Sequence, residues 1–160
     1  MTAPHRSTLM EVEPQWIDYN GHLNMAFYNV LMDRGADQLF DIFGFGPDYR
    51  ERTGHTTFSA ETHVCYVREL HEGAKVYVTS QLLDFDEKRF HFYQELFHED
   101  GWLSATAEGL GLHIDMSGPR VAPMGPDALA AMEKLHAEHA GLPWPERAGR
   151  KIGIPRKAAE

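Results

Sequence analysis

One long helical pattern constrains the fold of this chain more than any other feature of its sequence. Between Tyr28 and Phe43, apolar residues recur at spacings of three and four, which is typical of a helix with one buried face. Asn24 is a suitable N-cap, and Gly44 and Pro47 mark the end of the helix. The rest of the chain must therefore supply a surface against which this helix packs.

Gly35 lies in the middle of the apolar stripe and indicates what that surface is. Glycine inside a helix costs roughly 0.5–1 kcal/mol relative to alanine, so its presence predicts close packing against the backbone, as by a curved sheet. The opposite helix face carries a polar row at four-residue spacing, formed by Asn29, Asp33, Asp37 and Asp41. Like charges at that spacing repel slightly, so we interpret the row as solvent-exposed, with a second catalytic carboxylate as the alternative.

After residue 52 the hydrophobic period changes from that of a helix to that of a strand. Strands are predicted at residues 57–67, 75–85, 89–98 and 102–116, after a first short strand at residues 8–17. In the last strand the apolar parity changes near Gly109, which predicts a bulge or a strong bend there. In the strand at 57–67, one face is expected to meet the core through Phe58, Ala60, Thr62, Val64 and Tyr66.

The order of these elements predicts an α+β domain in which one antiparallel sheet packs on one long helix. At 160 residues with 42% hydrophobic content, a single domain over residues 1–160 is expected. Its core would span about residues 8–116, with a C-terminal helix at about 127–139 and an irregular basic tail at 142–160.

Composition narrows the function classes. A net charge of -9 argues against nucleic acid as a partner, because phosphate contacts need a basic surface. The single cysteine, Cys65, excludes an internal disulfide and a cysteine-based zinc cluster. The first ten residues do not resemble a signal peptide, and no window approaches a membrane span, so we expect a cytoplasmic protein without membrane association.

The stretch just before the long helix concentrates polar groups that can carry chemistry. Asp18, Asn20, His22 and Asn24 fall at every second position around Gly21, and the helix begins immediately afterwards. The first N–H groups of a helix lack internal partners and lie at the positive end of its dipole, so they can hold a developing negative charge. The stretch therefore predicts a carboxylate beside an anion-stabilising helix start.

On these residues the chain resembles the hot-dog-fold acyl-CoA thioesterases of the 4-hydroxybenzoyl-CoA thioesterase type. The resemblance is carried by Asp18-x-x-Gly21-His22-x-Asn24-x-x-x-Tyr28 and covers about residues 8–116. It implies a five-stranded curved antiparallel sheet wrapped around the helix, an acyl-CoA substrate and no further cofactor. It also implies a site between subunits, and hence a homodimer or homotetramer.

A narrower likeness is to the betainyl-CoA thioesterases of carnitine breakdown. It is carried by stretches on both sides of the motif and beyond the general core, namely residues 16–24, 61–63, 81–84, 88–89, 113–115 and 148–156. The likeness implies an acyl group with a trimethylammonium head, which binds aromatic faces because it donates no hydrogen bonds. Aromatic residues available for it are Trp16, Tyr19, Phe27, Tyr66 and Trp102.

Thioester hydrolysis needs an activated nucleophile and an oxyanion donor but little help for the leaving group, because a thiol of pKa near 8.5 leaves readily. We expect Asp18 to act as general base or as nucleophile, as the acid at this position does in the 4-hydroxybenzoyl-CoA branch. By the same resemblance, the backbone N–H of Met25 is the oxyanion donor. Asn24 would either cap the helix or orient the thioester carbonyl.

For the remaining candidate residues, a catalytic and a purely structural role both stay open. His22 polarises the substrate, holds Asp18 or simply fixes the loop. Glu61 and His63 share a strand face and would meet Asp18 across a dimer interface, unless Glu61 is an ordinary partner of a basic residue.

Further substrate contacts are expected from the motif and its flanks, and the C-terminal basic cluster suggests a phosphate site. The expected substrate-binding residues are Trp16, Tyr19, Asn20, Gly21, Phe27, Tyr28 and His63. Arg150 and Lys151 would bind the phosphates of CoA, unless the cluster is only a solvated tail. No metal is expected, because the histidine pair His136 and His139 has no third ligand nearby in sequence.

Two other functions stay open on sequence alone. A hot-dog dehydratase or hydratase would use His22 or His63 as base, and it would release no free thiol. A non-catalytic acyl-CoA-binding module would keep the pocket without turnover.

Overall fold

The computed structural model describes residues 3–156. The helices are α1 (Met25–Ile42), α2 (Pro47–Thr53) and α3 (Pro126–His139), with a 3-10 turn at Pro14–Trp16. The strands are β1 (His5–Arg6), β2 (Met10–Glu11), β3 (His55–Tyr66), β4 (Lys75–Phe85), β5 (Arg89–His98), β6 (Leu103–Asp115) and β7 (Arg120–Val121).

All strands belong to one antiparallel sheet in the order β1-β4-β5-β6-β3, with β2 also on β4 and β7 on β6. The predicted long strands and both predicted helices are confirmed, with bounds within two residues. Asn24 is the N-cap of α1, as expected. The α+β hot-dog architecture is thus present: a curved sheet with α1 against its inner face and a C-terminal helix.

One predicted element was misplaced, and one helix was not predicted. The first strand, expected at residues 8–17, is two short pieces on β4, and the chain leaves the sheet at Pro14, which cannot donate a ladder hydrogen bond. Pro47 does follow the end of α1, but it also opens α2, where the missing N–H of a proline costs nothing.

Gly35 lets α1 approach the sheet as closely as predicted. A Cβ at this position would lie 2.6 Å from the Cβ of Val78 on β4, so only glycine fits without a shift. The polar row on the other side of α1 is exposed, as interpreted from the sequence. Burial first, and then the neighbouring Asp33 and Asp41, raise the pKa of Asp37 within that row.

Of the bulge or strong bend predicted near Gly109, a bulge is absent from the pairing of β6 with β5 at that position. The pairing of β6 with β5 runs without a shift through Gly109 and Gly111, and both lie on the inner face. A Cβ there would come within 2.6 Å of the ring of Phe92 and 2.1 Å of the ring of Phe90. The two glycines therefore make room for phenylalanine rings on β5. Because these rings fill the inner face where Gly109 and Gly111 have no side chains, the apolar pattern in the sequence of β6 changes parity there.

A register irregularity lies instead on β3, between Ser59 and Glu61, opposite Gly111 and Leu110 of β6. Two others lie between Leu82 and Asp84 on β4 and between Leu96 and Phe97 on β5. Because an extra residue reverses the facing of a strand, Phe58 is on the outer face of the sheet while Val64 and Tyr66 are on the inner face. The shared core face predicted for this strand was therefore wrong, and of its members Val64 alone packs against a core cluster. As the edge strand, β3 leaves Phe58 45% and Tyr66 46% exposed.

Candidate active site

The loop before α1 is a tight turn that presents Asp18. Ile17 and Leu23 pair as an isolated β-bridge, and between them the Gly21 N–H donates to the Asp18 carbonyl oxygen at 2.9 Å. Gly21 has a φ of 80°, a left-handed conformation that favours glycine. The Asn20 N–H donates to Asp18 Oδ1 at 2.8 Å, so the carboxylate is fixed by its own turn.

Asn24 connects this carboxylate to the helix. Its Oδ1 accepts the Ala26 N–H at 3.0 Å, which makes it the N-cap of α1, and its Nδ2 donates to Asp18 Oδ2 at 3.2 Å. One side chain thus both caps the helix and holds the carboxylate. A carboxylate offers about four lone-pair sites, so Asp18 keeps acceptor capacity for water or substrate.

The first turn of α1 leaves one donor for a ligand. Phe27 N–H donates to the Asn24 carbonyl oxygen and Ala26 N–H to the Asn24 side chain. Within residues 3–156, the Met25 N–H has no hydrogen-bond acceptor. It is at the positive end of an 18-residue helix, where a developing oxyanion is stabilised.

These groups line an open cleft of about 520 Å³ between the Asp18 turn, the start of α1 and the end of β3. We call it the Asp18 cleft. Tyr66 ties its walls together, because its O–H donates to the Met25 carbonyl oxygen at 3.1 Å. The lining residues are Asp18, Tyr19, Asn20, His22, Leu23, Asn24, Met25, Tyr28, Tyr66, Val67, Arg68 and Glu69.

Most of the residues predicted from the motif are therefore together in one cleft, but three lie outside its lining. Trp16 is buried and stacks on Phe27 with ring centroids 5.7 Å apart, so both support the turn from behind. Gly21 shapes the turn and does not line the cleft. Arg68 and Glu69 were missed, although their position just after a predicted strand could have suggested them.

The His22 imidazole lines the cleft without a hydrogen bond to the Asp18 carboxylate in the described part of the chain. The contact between the two residues is made by the backbone, where the Asp18 N–H donates to the His22 carbonyl oxygen at 3.2 Å. The ring lies edge-on to His71, with centroids 6.4 Å apart. His22 thus fixes the loop through its main chain and through its ring Nδ1, which lies 3.4 Å from the Leu23 carbonyl oxygen, and its Nε2 is left for a ligand.

The other predicted residues meet in a second cleft, on the outer face of the sheet. We call it the outer cleft; its volume is about 550 Å³. Along β3, Glu61 and Tyr66 are five positions apart, or about 17 Å at the rise of a strand. The outer cleft is lined by Glu61, His63, Asp84, Phe85, Asp86, Arg89, His91, Glu108, Gly109, Leu110, Gly149, Arg150 and Lys151.

Two of the carboxylates in the outer cleft already have partners. Asp86 accepts from Arg89 Nε at 2.8 Å and from two backbone N–H groups, and the hydrogen bond from Arg89 is the main reason why the pKa of Asp86 is lowered. Glu108 accepts from His91 Nε2 and from the Gly149 N–H, both at 2.7 Å. Within residues 3–156, Arg150 and Lys151 form no ion pair, so their charges are available to an anion.

Nothing in residues 3–156 brings three histidine, cysteine or acidic side chains together as a metal site would. None of the helices in that part of the chain is both long and apolar enough to cross a membrane.

The chain matches the family model of the thioesterase-like superfamily over residues 12–132. It is 41% identical to a betainyl-CoA thioesterase of Pseudomonas aeruginosa over 145 residues, covering 90% of this chain and 91% of that protein. An L-carnitine dehydrogenase/betainyl-CoA thioesterase of Agrobacterium fabrum is 34% identical over 96% of this chain, which corresponds to 31% of that longer protein.

Solved structures agree with the sequence relatives. A Staphylococcus aureus protein in complex with CoA superposes with a TM-score of 0.89 at 28% identity, covering 97% of this chain and 98% of the other. A putative thioesterase of Pseudomonas putida superposes with a TM-score of 0.82 at 30% identity, covering 96% and 99%. The chain belongs to the thioesterase-like superfamily and is a thioester hydrolase of the hot-dog fold.

Proposed function

We propose that the chain hydrolyses betainyl-CoA to betaine and CoA in the Asp18 cleft. The observation that carries this proposal is the Asp18 carboxylate, held by Asn24 beside the unpartnered Met25 N–H at the start of α1. A carboxylate and an oxyanion donor are the two groups that thioester hydrolysis requires. The reaction needs no cofactor beyond the CoA carried by the substrate.

Asp18 supplies the nucleophile, either by taking a proton from water or by attacking the carbonyl carbon itself. The new C–O bond forms as the carbonyl oxygen becomes an oxyanion, which accepts a hydrogen bond from Met25 N–H. Collapse of this intermediate breaks the C–S bond, and the thiolate leaves and takes up a proton. A thiol reference pKa near 8.5 explains why no dedicated acid is needed for this departure. On the direct route an anhydride of Asp18 and the acyl group remains, and water hydrolyses it to the free acid and the restored carboxylate.

The acyl group is assigned from the cleft walls and from the names of the relatives. Tyr19, Tyr28 and Tyr66 bring aromatic rings to the Asp18 cleft, and Glu69 brings a carboxylate. A trimethylammonium group binds such surroundings through cation–π and charge attraction. Tyr19 is 98% exposed, so it is free to close over a bound acyl group.

The CoA end of the substrate is assigned to the outer cleft. Arg150 and Lys151 are cations without an ion-pair partner in the described residues, and the phosphates of CoA would provide one. The superposable Staphylococcus aureus protein was solved with CoA bound, which supports CoA as a ligand of this scaffold.

We further propose that the active unit is a homo-oligomer in which two copies pair along the edge strand β3. The edge leaves backbone groups of a 12-residue strand and the side chains of Phe58 and Tyr66 uncovered. Glu61 and His63 are on the outer face, away from Asp18 of their own chain. A role for them in the chemistry at Asp18 therefore requires a second copy.

Thiol release from a panel of CoA esters tests the reaction and the acyl group together. The panel is betainyl-CoA, its neutral isostere 3,3-dimethylbutyryl-CoA, 4-hydroxybenzoyl-CoA and butyryl-CoA. We expect betainyl-CoA to be preferred over the isostere by about 30-fold, which corresponds to the roughly 2 kcal/mol of one desolvated cation–π contact. Equal turnover of the two would refute a cationic acyl group, and no thiol from any ester would refute the hydrolase.

The Asp18→Asn variant shows whether the turnover belongs to this cleft. It should lower kcat/KM by about 100-fold or more, as expected for loss of a positioned catalytic group. Asp33→Asn, on the exposed face of α1, is the matched control and should behave as wild type. Full activity of Asp18→Asn would move the chemistry elsewhere.

A further inference from the structure

The C-terminal segment from residue 142 to residue 151 lies across the outer face of the sheet. Leu142, Pro143 and Pro145 lie against β4 and β5, where they form a shallow groove with Gln81 and Tyr93. The segment then passes β6 and ends at the outer cleft. It has neither helix nor strand, so side-chain contacts with the sheet must hold it in place.

One of these contacts is the hydrogen bond between the Gly149 N–H and Glu108 on β6. One carboxylate oxygen accepts from His91 Nε2 on β5 and the other accepts from the Gly149 N–H, each at 2.7 Å. The Glu108 side chain is only 16% exposed, so its carboxylate is partly shielded from water, whereas Gly149 lies at the surface. Trp144 adds an edge contact to His91, with ring centroids 6.2 Å apart.

We call the hydrogen bond from the Gly149 N–H to the Glu108 carboxylate the tie. It lies immediately before Arg150 and Lys151, the two cations of the outer cleft. Gly149 has a φ of 73°, and the Arg150 N–H closes a turn onto the Arg147 carbonyl oxygen at 3.3 Å. Arg150 and Lys151 are themselves exposed and form no ion pair in the described part of the chain. Their location therefore depends on the backbone that Glu108 holds.

We propose that Glu108 is a positioning residue, which acts through the Gly149 amide to hold Arg150 and Lys151 where the phosphates of CoA bind. The inference rests on the proposed function for its ligand, but the tie itself does not. Without the tie, the segment must be ordered at each binding event, and that ordering cost weakens binding without touching the chemistry at Asp18.

Kinetics with two esters of the same acyl group separate positioning from a general structural role. Glu108→Ala should raise KM for the CoA ester about tenfold, as expected for loss of charge-assisted hydrogen bonds, and leave kcat within twofold. KM for the corresponding pantetheine ester, which has no phosphate, should not change. Glu108→Gln, which keeps an oxygen for Gly149 N–H, should fall between wild type and Glu108→Ala.

Glu13→Ala is the matched control, because it removes a carboxylate that pairs with Arg34 at 3.2 Å, outside the lining of both clefts. It should leave both KM values at the wild-type level. An equal rise of KM for both esters in Glu108→Ala would overturn the proposal.

Hydrogen exchange of the Gly149 amide tests the tie without any substrate. The amide should exchange at least tenfold faster in Glu108→Ala than in wild type, with the amides of β4 unchanged. Faster exchange in a protein that hydrolyses no CoA ester would retain the tie and refute the proposed ligand. Unchanged exchange would refute the tie whatever the activity.

Discussion

Asn24 Nδ2 lies 3.2 Å from Asp18 Oδ2, while Asn24 Oδ1 accepts the Ala26 N–H. The residue that begins the helix is thus the one that orients the carboxylate. Two substitutions separate these roles. Asn24→Ser keeps an oxygen that can cap the helix but loses the amide N–H that donates to Asp18. Asn24→Ala loses both the cap and the donor.

We expect the two Asn24 variants to differ from each other in stability but to lose the same amount of activity. Asn24→Ser should change the free energy of unfolding by only a few tenths of a kcal/mol, and Asn24→Ala should lower it by about 1 kcal/mol. Both should lower kcat about tenfold through the lost hydrogen bond to the carboxylate. Urea titration and thiol-release assays measure the two effects, and unchanged kcat in either variant would contradict an orienting role.

Gly35→Ala should destabilise the protein although alanine is the better helix former. The added Cβ would lie 2.6 Å from Val78 Cβ, and overpacking a core in this way costs about 1–3 kcal/mol. Gly118→Ala is the control, because a Cβ there meets nothing within 4 Å. A thermal melt of Gly35→Ala at or above the wild-type Tm would show that α1 can move away from the sheet at little cost.

Stability should fall when the pH is lowered below about 6.5, because two buried histidines must stay neutral. His139 Nδ1 accepts the Leu82 N–H at 3.0 Å, and His113 Nε2 accepts the Tyr49 O–H at 2.9 Å while its Nδ1 donates to the Ala122 carbonyl oxygen. Desolvation by burial is the main cause that lowers the pKa of each below the ordinary 6.5.

The sign follows from proton binding in the two states. Above pH 6.5 both states hold the imidazoles neutral, and below it the unfolded chain takes up protons that the folded chain resists. Each group can therefore cost up to about 1.4 kcal/mol per pH unit as the pH falls towards its folded pKa. Urea titrations at pH 7.5 and 5.5 measure the loss, which should be smaller in His139→Gln and unchanged in the exposed control His71→Gln.

Mixed oligomers test whether Glu61 serves Asp18 of another copy. Asp18→Asn and Glu61→Gln should each be weakly active alone. After mixing and subunit exchange, half of the dimers hold one intact site of two, so about one quarter of wild-type activity should return. If no activity returned in a mixture shown to exchange subunits, Glu61 of one copy would not act together with Asp18 of another.

The hot-dog order of elements could be predicted because its signals are local. The apolar stripe of α1, its cap at Asn24 and the period of the long strands are each carried by residues close together in the chain. The Asp18 turn could be predicted for the same reason, since Gly21 and Asn24 act on a carboxylate only a few residues away.

Tertiary structure decided which faces meet and which candidate residues share a cleft. The extra residue in β3, which turns Phe58 outward and Tyr66 inward, is defined only by its pairing with β6. The separation of Glu61 from Asp18 and the hydrogen bond from Gly149 to Glu108 likewise depend on how distant parts of the chain are placed. A pattern of period two cannot report a shift of one residue, because register is set by the neighbouring strand.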